Sequence, residues 1–187
     1  MRITKGGWSV VEALIGVAAV TLIFLLSAPV LDEWSQAHNL RKTSKNLYVS
    51  LTMAQQEATK RGDIARLCPS SDGWSCRPDG DWNRGWIVFL DSNANKQPEP
   101  AEIMNTYGPP GEQIRIHALG SFTSSADFGI DGMPIGTQFA SAGGFQICSE
   151  TDEPSSREIL IDEQGRPEVS KSDDQCREIS TIPQAPG

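Results

Sequence analysis

A nearly unbroken apolar run from Trp8 to Leu31, set directly behind the basic leader Met1 to Gly7, constrains everything else in this chain. Between Val10 and Leu31 the sole ionisable side chain is Glu12. About 20 apolar residues at roughly 1.5 Å rise each suffice to cross a hydrocarbon core, so the run reads as a membrane-spanning helix. Arg2 and Lys5 precede it, and Asp32 and Glu33 follow. The excess of basic residues on the cytoplasmic side of a span then puts the amino terminus in the cytoplasm and the bulk of the chain outside. Trp34 sits where an interfacial aromatic anchors such a span.

An ordinary signal peptide is cut after its apolar region at a small-x-small site. Here Ser27-Ala28 runs straight into Pro29, a poor place for a cut. The alternative lies before the run, where Lys5-Gly6-Gly7 meets Trp8-Ser9-Val10-Val11-Glu12. That segment resembles the prepilin leader of type IV pilins and type II secretion pseudopilins, with Trp8 where the family usually has Phe. The resemblance implies cleavage after Gly7 by a prepilin peptidase, methylation of the new amino terminus on Trp8, and retention of the helix. A carboxylate in a membrane helix costs about 2 to 3 kcal/mol near the centre and less near an end, so it is expected to have a partner. The new amino group, about one turn away on its own or a neighbouring subunit, is the expected partner of Glu12, and the pair would set subunit register. The competing reading is a plain signal anchor whose Glu12 snorkels to the surface.

With about 60 of 187 residues in a helix, one globular part is expected. The formal charge of −8 becomes −10 once Arg2 and Lys5 leave with the leader. Such a surface does not attract nucleic acid or anionic lipid as a whole. Four cysteines in an exported domain suit an oxidising compartment. Cys68–Cys76 and Cys148–Cys176 each close a loop near in sequence, although four cysteines allow three connectivities. Closing about 9 and about 29 residues stabilises by roughly 2.6 and 3.6 kcal/mol before strain. A zinc site is disfavoured by only two histidines, His38 and His117, and no CxxC spacing.

Beyond Pro29, Leu40, Leu47, Leu51, Ala54 and Ala58 recur on one helical face, opposite Arg41, Lys45, Gln55 and Lys60. Gly62 is placed to end the helix in a left-handed cap. From Asp63 the pattern becomes short β-like segments: Ile64 to Cys68, Gly85 to Leu90, Glu102 to Thr106, Gln113 to Ala118, Thr137 to Ala140, Gly144 to Ser149 and Glu158 to Asp162. Asp131-Gly132 and Gln164-Gly165 read as turns. The expected class is α+β: a long N-terminal helix, transmembrane in its first half and amphipathic in its second, packed on an antiparallel sheet or sandwich. The divisions are leader 1–7, span 8–31, helix continuation 32–62, β domain 63–180 and unpacked tail 181–187.

Two further stretches carry a second resemblance. Ala54-Gln55-Gln56-Glu57-Ala58-Thr59-Lys60-Arg61-Gly62 runs into a cysteine strand, and Trp82-Asn83-Arg84-Gly85-Trp86-Ile87-Val88-Phe89-Leu90-Asp91-Ser92-Asn93 leads to Glu102-Ile103-Met104. Their order is similar to the GspH/FimT family of minor pseudopilins and minor pilins, and with the leader the similarity covers nearly the whole chain. The cysteine content looks more like minor pilins of the FimU/FimT kind. This resemblance implies a structural subunit of the inner membrane that joins, and helps prime, a type IV pilus, with other minor pilins and the major pilin as partners. The alternative is a minor pseudopilin of a type II secretion system. A third reading is a DNA-binding minor pilin for natural transformation.

Four chemistries bear on the remaining residues. Asp91, Asn93, Asn95, Gln97, Glu99 and Glu102 fall on a calcium-loop register, but Lys96 holds the position that needs Gly, and Pro98 and Pro100 stiffen the segment. A polar connection between two strands is expected there, with no cofactor. DNA binding in FimT-type pilins uses Gly-Arg-x-Arg near the C-terminus; here Gly165-Arg166-Pro167-Glu168 puts an acid at the second Arg. Arg166, Lys171 and Arg177 remain as a small basic set among acids, so DNA is not an expected partner. No nucleophile elbow, P-loop or paired-carboxylate motif stands out, and an enzyme is not expected. Trp74, Trp82, Trp86 and Phe89 suggest either a carbohydrate surface or sheet core, and the period-two spacing of Trp86 and Val88 favours core.

Overall fold

The computed structural model describes residues 9–136, 143–150, 155–162 and 165–172, with the backbone alone over 23–36 and at 172. Its elements are α1 (Val10–Arg61), β1 (Ile64–Pro69), β2 (Trp86–Asp91), β3 (Ile103–Tyr107), β4 (Ile114–Gly120), β5 (Ala126–Phe128), β6 (Gly143–Ser149), β7 (Ser155–Ile161) and β8 (Pro167–Ser172). Two units follow from the internal contacts, Met1–Ser35 and Gln36–Gly187.

In the first unit, the described side chains of α1 from Val10 to Leu22 are apolar on every side but for Glu12 and Thr21. Val10, Leu14, Val17 and Leu22 are all more than half exposed. Among the described residues no helix is long and apolar enough to cross a membrane. The run Trp8 to Leu31 is only partly among them, since Trp8 and the side chains from Ile23 onward lie outside.

The second unit is built on the apolar stripe of α1. Leu40, Leu47, Leu51, Ala54 and Ala58 are buried, as their spacing demands. The helix ends where expected: Gly62 takes φ +72° and its N–H donates to Ala58 O at 2.9 Å. Two four-stranded antiparallel sheets follow, ordered β3-β2-β1-β5 and β4-β6-β7-β8. Register in the first pairs Leu67 with Val88 and Trp86 with Tyr107; in the second it pairs Ile116 with Ile147. Val88 and Leu67 face the stripe in one apolar cluster that also takes Ile114, Ile116, Phe145, Ile147 and Ile159 from the other sheet. The helix stripe is thus common to both sheets.

Aromatic and polar contacts fix this arrangement. The Trp82 ring meets Phe145 edge-on at 4.7 Å, and the Trp86 indole N–H donates to Ser50 Oγ at 2.9 Å. Both side chains are buried, which decides for core over a carbohydrate surface at these two positions and at Phe89. Gly85 (φ +106°) lies so close to the neighbouring strand that a Cβ would stand 2.3 Å from Tyr107 O. Gln55 donates from Nε2 to Gly132 O at 3.1 Å and to Gly165 O at 2.8 Å, so one side chain of α1 holds the turns of both sheets.

Strand expectations hold for β1, β2, β3, β4 and β6, while β7 begins earlier than Glu158, at Ser155. Two strands lack an obvious sequence signal. β5 is three residues long, and β8 is a polar edge strand, Pro167-Glu168-Val169-Ser170-Lys171-Ser172, of the kind that blunts a sheet edge. The expected strand Thr137 to Ala140, the Gln164 half of one turn and the tail 181–187 lie outside the described residues.

Leu47, with no exposed surface, belongs to the shared cluster. Leu47→Ala is expected to lower stability by about 2 to 5 kcal/mol, read as a fall in the denaturation midpoint of the purified chain. An unchanged midpoint would show that the stripe is not the common core.

Candidate functional site

Glu12 lies in the first turn of α1, at the positive end of the helix dipole. Ser9 begins that turn: its Oγ accepts from Val11 N at 3.3 Å, and its carbonyl accepts from Glu12 N at 3.0 Å. Around it, Val10, Val11, Leu14 and Ile15 are exposed apolar side chains. A lone carboxylate therefore sits in an apolar helical surface that is left exposed among the described residues. Gly7 and Trp8, the expected processing residues, lie outside the described residues.

The expected disulfide Cys68–Cys76 is present, with Cα atoms 5.5 Å apart. It staples the loop between β1 and β2, and Cys68 and Cys76 pack with Ile87, Phe89 and Ile103 in a second apolar cluster. Within the stapled loop, Asp72 Oδ1 accepts from Trp74 N at 2.8 Å and Ser75 N at 2.9 Å, and Oδ2 accepts from Ser75 Oγ at 2.6 Å. These donors hold the Asp72 carboxyl well below the usual carboxylate range, the Ser75 hydroxyl contributing most. Trp74 is largely exposed, unlike the three other aromatics considered with it. Cys148 is also disulfide-bonded, and its expected partner Cys176 lies outside the described residues.

The calcium-register segment connects β2 to β3, as a hairpin loop. Asp91 is buried; its Oδ2 takes a 2.6 Å ion pair from Arg66 Nε and accepts from Lys96 N at 3.2 Å, while Oδ1 accepts from Asn95 N at 3.0 Å. Asn93 and Asn95 donate to Glu99 Oε1 at 2.9 and 3.2 Å. Glu102 accepts from Ser92 N at 3.2 Å and Glu99 N at 3.3 Å. The sharp turn that a glycine would normally make is made by Ala94 and Lys96, at φ +56° and +61°. Among the described residues no group of three or more His, Cys, Asp or Glu is placed to hold a metal ion. The loop's acceptors serve its own backbone and side-chain amides, and a guanidinium supplies its positive charge.

Arg66 also pairs with Asp127 on β5 and so bridges three strands, a role that sequence reading missed. The available signal was a charged residue inside an apolar strand, Ile64-Ala65-Arg66-Leu67-Cys68. Burial pushes the Asp127 carboxyl above its ordinary value, against the opposing pull of Arg66.

Of the basic set near the C-terminus, Arg166 is exposed and ion-paired with Asp162 at 2.9 Å. Lys171 stands across from Arg157 in the β7–β8 ladder, and Arg177 lies outside the described residues. The one described arginine of the motif is thus already matched by an acid.

Comparison with known proteins supports the fold and the family. The family model described as type II transport protein GspH matches residues 43–165. A crystal structure of the type IV minor pilin FimU of Pseudomonas aeruginosa PAO1 is similar with a TM-score of 0.56 at 16% identity, over 77% of this chain and 97% of that one. A second crystal form of FimU gives 0.53 at 17% identity, over 74% and 98%. The minor pseudopilin EpsH of the Vibrio cholerae type 2 secretion system gives 0.50 at 12% identity, over 73% and 99%. No curated protein sequence matches significantly.

One outcome tests the loop and another tests Asp127. With its carboxylates engaged as described, millimolar calcium is expected to leave the melting temperature unchanged, and a rise that Asp91→Ala abolishes would show a metal site instead. Because the Asp127 pKa is raised on folding, its contribution to stability is fully present below pH 3.8 and fades as pH climbs through the raised value. Asp127→Asn is expected to flatten that decline in denaturation curves taken across acidic pH. An equal slope in parent and variant would remove burial of this carboxyl as the cause.

Proposed function

Because the chain belongs to the family of type II transport protein GspH, we propose that it is a structural minor pilin that waits in the bacterial inner membrane and then joins a type IV pilus, helping to prime it. The single observation that carries this reading is the apolar helix surface from Val10 to Leu22, exposed among the described residues, with Glu12 its one ionisable side chain. Such a surface is at home in lipid and equally in a bundle of like helices, because side-chain packing replaces lipid contact at little hydrophobic cost. Prepilin peptidase is the proposed processing enzyme, cutting after Gly7 and leaving Trp8 as the methylated terminus. Glu12 then pairs with an amino terminus and fixes the register of one subunit on the next. Other minor pilins and the major pilin are the proposed partners, and the β domain is displayed outside the cytoplasm. The role is that of a building block, with no reaction assigned to it.

Likeness to FimU over nearly all of that chain supports the pilus reading. A second reading, a minor pseudopilin of a type II secretion system, draws on the family model's own description and on the likeness to EpsH. DNA uptake draws little support, since Arg166 is matched by Asp162 and Glu168 stands two residues on.

Glu12→Ala tests the assembly role. The variant is expected to insert in the membrane at parental levels while its share in the sheared filament fraction falls about tenfold or more. Normal incorporation would remove Glu12 from the mechanism. Deleting the gene separates the machines: loss of surface pili with secretion intact supports the first reading, and the reverse supports the second.

A further inference from the structure

We propose that the pocket between α1 and the loop after β3 receives an acidic side chain from a neighbouring pilin-fold subunit. The inference rests on the assembly reading above and names the chemistry of one contact within it. The pocket encloses about 290 Å³, walled on one side by Asn39, Lys42 and Asn46 of α1 and on the other by Tyr107, Pro109 and Pro110. That volume falls just below the range of sites that enclose drug-sized ligands, about 300 to 1,000 Å³. It is ample for one carboxylate side chain.

Its walls are fixed before anything binds. The Tyr107 ring stacks on Trp86 at 5.0 Å and 17°, and Trp86 is bonded to Ser50. Two consecutive prolines set the backbone of the opposite rim. Little ordering is therefore left to oppose association. The polar lining suits a carboxylate: Lys42, the sole ionised residue among those lining it, and the amide side chains Asn39 and Asn46. Rings and prolines beside them accept the methylene stem of Asp or Glu.

Charge identifies the occupant more sharply. The exposed face of α1 carries Arg41, Lys42 and Lys45, and none of the three is in an ion pair among the described residues. No Asp or Glu occurs between Glu33 and Glu57, whereas residues 57–187 hold 11 basic against 21 acidic side chains, a balance of −10. A cationic patch on an anionic domain attracts an acidic surface and repels a basic one. Tyr48 and Val49, partly exposed beside the patch, extend it for a protein surface in a way that a small free anion does not use. Two different patches meeting in this way make a head-to-tail contact, which continues along a filament and does not close into a dimer.

The test uses the full-length chain in cells that assemble the filament. Lys42→Glu is expected to lower incorporation into the sheared filament fraction at least about tenfold, and Lys42→Arg to stay within about twofold of the parent. Equal melting temperature and an intact Cys68–Cys76 bridge in both variants establish that folding is unaffected. A photo-crosslinking benzoylphenylalanine at position 45 should join the chain to another pilin-fold subunit within a few residues of an Asp or Glu. Reversing that acid to Lys should restore Lys42→Glu. Parental incorporation of Lys42→Glu overturns the proposal, as do crosslinks that map to lipid or to a surface lacking acids. Protection of Lys42 from acetylation by inorganic phosphate alone, with no crosslinked subunit, also overturns it in favour of a small-anion site. Absence of the parent chain itself from the filament fraction overturns the assembly reading, and this contact with it.

Discussion

Burial of one helix stripe is the constraint on which the domain depends. Leu40, Leu47, Leu51, Ala54 and Ala58 fall in a single apolar cluster with strands of both sheets. The inward faces of β2 and β6 therefore share one apolar cluster with helix side chains. Gln55, one residue along, ties the same helix to Gly132 and Gly165 through two hydrogen bonds. Remove the stripe and each four-stranded sheet is left with one apolar face uncovered, a state that antiparallel sheets do not sustain in water.

Against this frame the motif Trp82-Asn83-Arg84-Gly85-Trp86 becomes a set of physical jobs. Trp82 and Trp86 fill the core from two directions, and Gly85 permits a backbone approach that no Cβ would allow. Asn83 donates from Nδ2 to Ile116 O at 3.4 Å and accepts at Oδ1 from Ile116 N at 2.8 Å. Asp91, further along, is spent on Arg66 and on the amides of its own loop. A family signature is here a packing and capping signature, which is why it points to a fold.

The helix, its cap and most strands were legible because each has a local cause: a stripe at helical spacing, a glycine after the last turn, alternating or β-branched runs between turn residues. The first disulfide was legible from its short loop. β5 and β8 were not, since a three-residue strand has no period to detect and a polar edge strand resembles a loop. The Arg66 bridge was hidden for another reason. Its partners stand 25 and 61 residues away in sequence, and only the pairing of β1 with β2 and β5 brings them together. The pocket lined by Lys42 and Tyr107 was likewise invisible, because its walls come from a helix and a loop that meet through the fold alone.

Asn83 has one more effect. β4 is an edge of its sheet, and an exposed edge is a template on which another chain can add a strand. By occupying both backbone groups of Ile116, the Asn83 amide acts as a one-residue strand and blocks that template at this position. At Ile116 this edge is thereby withheld from edge-to-edge pairing with another chain.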